Sequence, residues 1–159
     1  MSVSSGLDVY LKDHLAGATG GSELAAKLSA DNAAGPLGAF LADLSRQVEH
    51  DRETLEGLME RLGVKPDPLK QAGAWVAEKA SRIKLTDTFH GNTDLKRLLQ
   101  LEMLSLGIVG KSELWRALIT AREAGLEIDL DLEALARRAD EQRSSLEEYR
   151  LDAARAALV

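Results

Sequence analysis

The sequence predicts an all-α protein that folds as a four-helix bundle, and three observations support this prediction. Ala, Leu, Glu, Arg and Lys, which favour helices, dominate the 159 residues, whereas aromatic residues make up only 4%. Apolar residues recur at intervals of three and four along several long segments. The three prolines lie outside every strongly periodic segment. We therefore expect a single domain over residues 1–159, with no strands.

The first two helices are predicted at about 5–32 and 36–62. Pro36 suits the first turn of the second helix, and Gly63 follows its last periodic residue. The first helix is the less regular of the two. Its best apolar seam contains Leu7, Leu11, His14, Ala18, Gly21, Ala25 and Leu28. The seam of the second helix contains Leu37, Leu41, Leu44, Val48, Asp51, Leu55, Leu58 and Leu62.

The rest of the chain predicts one short helix and two long ones, at about 68–84, 93–124 and 131–157. Pro68 is the first residue of the short helix, which we place in the connection between the second and third long helices. Gly125 follows the third long helix. This helix carries two apolar stripes, so we expect neighbours on two of its sides. The last helix again has a three-and-four seam, formed by Leu132, Leu135, Ala139, Gln142, Leu146, Tyr149, Ala153 and Ala156.

Each long helix has one polar residue on its apolar seam. These four residues are His14, Asp51, Glu102 and Gln142. An unpaired polar group in a core costs about 1 to 3 kcal/mol, so these residues are expected to have partners. They can form a hydrogen-bonded cluster, completed by Arg143, Gln142 itself or trapped water. Alternatively, His14, Asp51 and Glu102 can bind one metal ion, with Gln142 hydrogen-bonded to these ligands and not to the metal.

The run QVEHDRETLEGL, residues 47–58, contains a second possible metal-binding pair, Glu49 and His50. Each residue turns a helix by about 100°, so both side chains point away from the seam that Asp51 occupies. We expect this pair to lie on the surface, and Asp51 to be the inward-facing residue of the run.

Two stretches, YLKDHLAGATGG (10–21) and LEMLSLGIVGKSELW (101–115), resemble uncharacterised bacterial proteins of the ferritin-like class. The resemblance implies a ferritin-like bundle and covers all of the predicted helices. The class usually binds two metal ions through a Glu on each of two helices and a Glu-x-x-His on each of the other two. Glu102 matches one of these carboxylates and Asp51 is a shorter substitute, whereas His14 and Gln142 differ in kind. Three residues beyond Asp51, Glu102 and Gln142 stand Thr54, Ser105 and Ser145, so the di-iron set is incomplete.

The segment GIVGKS, residues 107–112, resembles the end of a phosphate-binding loop. That motif requires a glycine where this chain has Ser105, and it follows a strand. Because helical periodicity runs through the segment, we expect Gly107 and Gly110 to admit a neighbouring helix closely. Gly17, Gly20 and Gly21 suit the same interpretation, with a local bend or a ligand-sized gap as the alternative.

Composition limits the possible partners. The chain has 20 basic and 26 acidic residues, a net charge of -6, and no basic stripe, which argues against nucleic acid and anionic membranes. The absence of cysteine excludes thiol chemistry. The segment MSVSSGLDVYLKD lacks a secretion signal, so we expect a cytoplasmic protein. Trp75 and Trp115 are expected in the core or at an interface, and a homo-oligomer that buries Trp115 is one possibility.

These observations favour a non-catalytic ferritin-like module with a degenerate metal site, which binds an unidentified protein or small molecule. No cofactor is expected on this interpretation. The alternative is a metal-dependent oxidoreductase or metal-storage protein, with iron, manganese or zinc held by His14, Asp51 and Glu102.

Overall fold

The computed structural model describes residues 3–67, 91 and 93–159, which form four long α-helices. They are α1 (Ser5–Asp31), α2 (Gly35–Arg61), α3 (Thr93–Glu123) and α4 (Leu132–Leu158). The prediction of four long helices is therefore confirmed, and no strand occurs in the described ranges. The short helix predicted at 68–84 lies outside the described residues. None of the described helices is long and apolar enough to cross a membrane.

The helix ends follow from local sequence. Ser4 and Asp131 cap α1 and α4, because each side chain accepts a hydrogen bond from the backbone N–H three residues ahead. Gly63 and Gly125 follow α2 and α3 with φ of 71° and 104°, a left-handed conformation that favours glycine. Backbone N–H groups beyond each glycine then bond to carbonyls of the last turn. Both glycines terminate helices as predicted.

Two apolar clusters establish the relative directions of the four helices. One cluster joins the beginnings of α1 and α4 to the ends of α2 and α3, and the other joins the opposite ends. α1 and α4 therefore run in one direction, and α2 and α3 in the other. The first cluster includes Leu11, Leu58, Trp115 and Leu132, and the second includes Leu28, Leu41, Leu101 and Leu146.

Helix packing leaves a distinct zone at mid-height of the bundle. α1 packs on α2 and α3, and α4 packs on α3 and more loosely on α2. Each fully buried leucine contributes on the order of 1.5 to 3 kcal/mol, so the two apolar clusters supply most of the driving force for folding. Asp51 lies on α2 between Val48 of the second cluster and Leu55 of the first, and it accepts a hydrogen bond from the buried Gln142.

Candidate binding site

A group of five polar side chains from α2, α3 and α4 forms the centre of the bundle. We call Gln47, Asp51, Lys111, Arg138 and Gln142 the central polar cluster. The Nζ atom of Lys111 lies 2.5 Å from both Asp51 Oδ2 and Gln142 Oε1. Arg138 donates to Asp51 Oδ1. The side-chain amide of Gln142 donates to Asp51 Oδ2 at 3.1 Å and to Gln47 at 3.0 Å.

Helical spacing brings these side chains together. Asp51 lies three residues after Val48 and four before Leu55, so it faces inward with them and is only 3% exposed. Lys111 lies between the buried residues Ile108 and Trp115 at the same three- and four-residue intervals. Its side chain is 14% exposed. The apolar seam therefore directs a carboxylate and an amine into one buried region.

The cluster contains one carboxylate and two cationic side chains. Burial lowers the pKa of Lys111 to about 7. The Asp51 carboxylate, 2.5 Å away, by itself favours the charged amine. Since Arg138 already pairs with that carboxylate, the charge on Lys111 is in excess of what Asp51 balances. We therefore take burial as the dominant influence and expect a substantial fraction of neutral amine at pH 7.

A pocket of about 200 Å³ extends from the cluster between α1, α2 and α3. We call it the lysine pocket, because Lys111 and Asp51 line its polar end. Apolar side chains, including Leu55, Leu104 and Trp115, line most of the remainder. Asp13 and Leu106 also line it and are exposed, so the pocket opens to solvent beside them. The glycines on its wall are Gly17, Gly21, Gly107 and Gly110.

Three of these glycines face open space rather than a neighbouring helix. A Cβ atom added to Gly21, Gly107 or Gly110 would meet nothing within 4 Å. The expectation that Gly107 and Gly110 admit a helix closely is therefore wrong. The alternative of a ligand-sized gap, considered for the α1 glycines, agrees with the structure. As expected, α3 runs without interruption through residues 107–112, so no phosphate-binding loop forms there.

Two aromatic nitrogen-containing side chains also line the pocket. Burial lowers the pKa of His14, so its imidazole is mostly neutral at pH 7. Its ring meets that of Tyr10 edge-on, with the centroids 4.5 Å apart. Trp115 is 1% exposed, and its Nε1–H has no hydrogen-bond acceptor among the described residues. Trp115 is thus a core residue within the single chain.

The structure brings together only part of the predicted metal set. Asp51 contacts Gln142, and both Asp51 and His14 line the lysine pocket. Glu102 instead pairs with Arg150, and its side chain is 41% exposed. In the ranges 3–67 and 93–159, no three Asp, Glu or His side chains are grouped to hold a metal ion. Binding of iron, manganese or zinc by these residues stays a prediction, and it would require displacing the cations from both Asp51 oxygens.

The Glu49–His50 pair lies outside this site. The His50 side chain is 66% exposed, which confirms its predicted surface position. Glu49 bonds to Arg52 and Ser22 at the edge of α1 and α2, and these hydrogen bonds lower its pKa to about 2.

Sequence reasoning anticipated a polar cluster completed by Gln142, but it did not identify the cations. Lys111 and Arg138 take that role, whereas Arg143 is exposed. A signal for Lys111 was available, since it fills the interval between Ile108 and Trp115 on an apolar stripe. Arg138 has no comparable signal, because its side chain is 34% exposed and reaches inward from the edge of its helix.

The fold and the site together define a helical bundle with an ion-paired centre and a ligand-sized pocket beside it. No protein family, curated protein or solved structure matches the chain.

Proposed function

We propose that this protein is a non-catalytic, ferritin-like helical module that binds a small ligand in the lysine pocket. The observation that carries the proposal is the pocket itself, an open volume at mid-height of the bundle with a polar inner end and mostly apolar walls. Such a combination is typical of sites that hold an apolar ligand body and orient it by a few polar contacts.

The size of the pocket suits a small molecule. Its volume of about 200 Å³ exceeds the roughly 150 Å³ of an engineered cavity that binds benzene. Maintaining this space is costly, because a glycine inside a helix is less favourable than alanine by about 0.8 to 1 kcal/mol. Gly21, Gly107 and Gly110 all have room for a methyl group. The chain is therefore less stable than it would be with those positions filled.

A polar group at the pocket favours a ligand that has a hydrogen-bond acceptor. In its charged form Lys111 has a third N–H at the inner end, beyond the two that bond to Asp51 and Gln142. An oxygen atom on an otherwise apolar ligand would accept that hydrogen. The Trp115 N–H has no acceptor among the described residues, but it is fully buried and does not face the open volume.

The ferritin-like part of the proposal is supported by the direction of the helices. Antiparallel pairs α1–α2 and α3–α4, with α2 and α3 running in the same direction, match the helix directions of ferritin-like folds. The mid-height carboxylate, which binds metal in that class, is here engaged by Lys111 and Arg138. This substitution favours binding over redox catalysis.

Ligand-observed nuclear magnetic resonance with benzene, phenol and benzyl alcohol tests the proposal. We expect saturation transfer to at least one probe with the wild-type protein. Transfer should be lost in Gly110→Leu, which fills the pocket, and kept in Gly6→Leu, a control with equally open space on α1 outside the pocket. No transfer to the wild type, or equal transfer in both variants, would refute the proposal.

The alternative, a metal-dependent oxidoreductase or storage protein, is tested by metal content. Protein purified without chelator or histidine tag is analysed by plasma mass spectrometry beside Glu102→Ala. Near-stoichiometric iron, manganese or zinc that disappears in the variant would favour that alternative. We expect no stoichiometric metal in either protein.

A further inference from the structure

The Lys111 Nζ atom has one substituent position that takes no part in a hydrogen bond among the described residues. Its nitrogen donates to two acceptors, Asp51 Oδ2 and Gln142 Oε1, each 2.5 Å away. A tetrahedral amine nitrogen has a third position, and no described residue outside those two accepts a hydrogen bond from it. In the neutral amine both N–H bonds can be satisfied by Asp51 and Gln142, and the third position is the lone pair. Lys111 lines the pocket, so a ligand held there would lie beside its side chain.

We propose that Lys111 captures a small apolar aldehyde or ketone in the lysine pocket as an imine. This inference rests on the proposed function, because it requires the pocket to admit a ligand, and it adds the chemical class of that ligand. The carbonyl compound supplies both features that the pocket favours, an apolar body and an oxygen acceptor. A desolvated lysine in an apolar pocket is an established means of activating an amine towards carbonyl groups.

The reaction balances without an oxidant or reductant. The Lys111 lone pair attacks the carbonyl carbon, a C–N bond forms, and the carbonyl π electrons move to oxygen. A proton passes from nitrogen to that oxygen, which gives a carbinolamine. Loss of water, with a second proton from nitrogen, produces the C=N bond. Asp51 Oδ2 is placed to accept the proton from Nζ and to return it to the departing hydroxyl.

Burial keeps part of the Lys111 amine neutral, and so reactive, near pH 7. An exposed lysine titrates near 10.4, so roughly four amines in ten thousand are neutral at pH 7. Burial lowers the pKa of Lys111 to about 7, so about half of this amine is neutral under the same conditions. The titratable or charged groups that face it or line the pocket with it are Asp13 and His14 on α1, Asp51 and Arg52 on α2, and Arg138 on α4.

Reductive trapping tests the inference. The wild-type protein is incubated at pH 7 with benzaldehyde and cyanoborohydride, and the modified lysine is located by peptide mass mapping. We expect one benzyl group at Lys111, added at least about tenfold faster than at any other lysine. Labelling at that position should be absent in Lys111→Met. It should be unchanged in Lys27→Met, which removes an exposed lysine from α1.

A matched ligand separates this inference from the proposed function. Benzyl alcohol has nearly the shape of benzaldehyde but cannot form an imine. If it binds in the pocket and slows trapping of benzaldehyde at Lys111, both proposals are supported. If it binds but benzaldehyde labels Lys111 no faster than the other lysines, the imine inference is refuted and the binding proposal stands. If neither compound binds, both fail.

Because Lys111→Met alters the core, a second variant protects the test from a folding defect. Gly110→Leu keeps the amine and fills the pocket. We expect it to reduce labelling at Lys111 at least about tenfold while leaving labelling at the other lysines unchanged. Undiminished labelling at Lys111 in Gly110→Leu would also overturn the inference, since the pocket would then have no part in the reaction.

Discussion

Replacing Lys111 by methionine should change how the stability of this protein depends on pH. In the folded protein, burial lowers the pKa of Lys111 to about 7 from its ordinary 10.5. Between these two pH values the unfolded chain binds more protons at this position than the folded chain. Stability therefore rises as pH increases from 7 to about 10.5, and the contribution is lowest below pH 7. Methionine has a similar length and no proton to bind, so this rise should disappear.

The expected magnitude is large enough to measure. The difference between 10.5 and about 7 corresponds to roughly 5 kcal/mol between the two protonation states of Lys111. Its side chain is only 14% exposed, so solvent screening removes little of this energy. The free energy of unfolding of the wild type, relative to Lys111→Met, should rise by up to about 1.4 kcal/mol per pH unit over this interval.

Urea denaturation followed by circular dichroism, at intervals of one pH unit from about 6 to 10, supplies the required values. Other titrating groups, such as Tyr10, are present in both proteins, and their effects largely cancel in the difference. Lys27→Met is the control, since its side chain is 52% exposed and paired with Asp31 on the surface. The free energy of unfolding of Lys27→Met should depend on pH in the same way as that of the wild type.

A flat difference between the wild type and Lys111→Met above pH 7 would refute this reasoning. It would mean that Lys111 stays protonated in the fold and that its ion pair with Asp51 outweighs burial. A difference that falls with rising pH would contradict the direction of the pKa change itself. Either result would also remove the source of neutral amine that imine formation requires.

Three further variants, with Asp140→Asn as a control, test helix packing and the buried ion pair. Gly110→Ala should stabilise the protein by about 0.5 to 1 kcal/mol, because α3 gains a better helix former and the added methyl group enters open space. Gly38→Ala should destabilise it by about 1 to 3 kcal/mol, because the new Cβ would lie 2.4 Å from the Asn32 carbonyl oxygen. Thermal unfolding of the two variants should therefore shift in opposite directions, and equal shifts would contradict the packing argument. Asp51→Asn should cost about 3 to 5 kcal/mol in urea denaturation, because it leaves Lys111 and Arg138 without a counterion. Asp140→Asn, at an exposed ion pair, should change stability much less, and similar losses would show that burial of the Asp51 pair is unimportant.

The backbone of this protein was more predictable than its site, and the reason is periodicity. Apolar spacing predicted α2 at 36–62, and the helix spans Gly35–Arg61. The same spacing identified Asp51 as buried, because a residue at a position of the inward-facing helical repeat points inward whatever its type. It overestimated the burial of Glu102, whose long side chain reaches outward to Arg150. Side-chain length and flexibility decide where such a charge ends, and helical spacing does not contain that information.

The position of the pocket follows from an asymmetry among the four helices. α2, α3 and α4 each supply a charged residue to the central polar cluster, namely Asp51, Lys111 and Arg138. α1 supplies none of its members, and at the same height it presents Gly17 and Gly21. Ion pairs thus connect α2 to α3 and to α4, whereas α1 leaves space beside them. A small ligand held against Lys111 would fill the volume that α1 leaves open and become the missing contact between α1 and the cluster. Ligand binding should therefore stabilise α1 more than the other helices, and hydrogen exchange of its backbone amides, with and without benzaldehyde, would measure that difference.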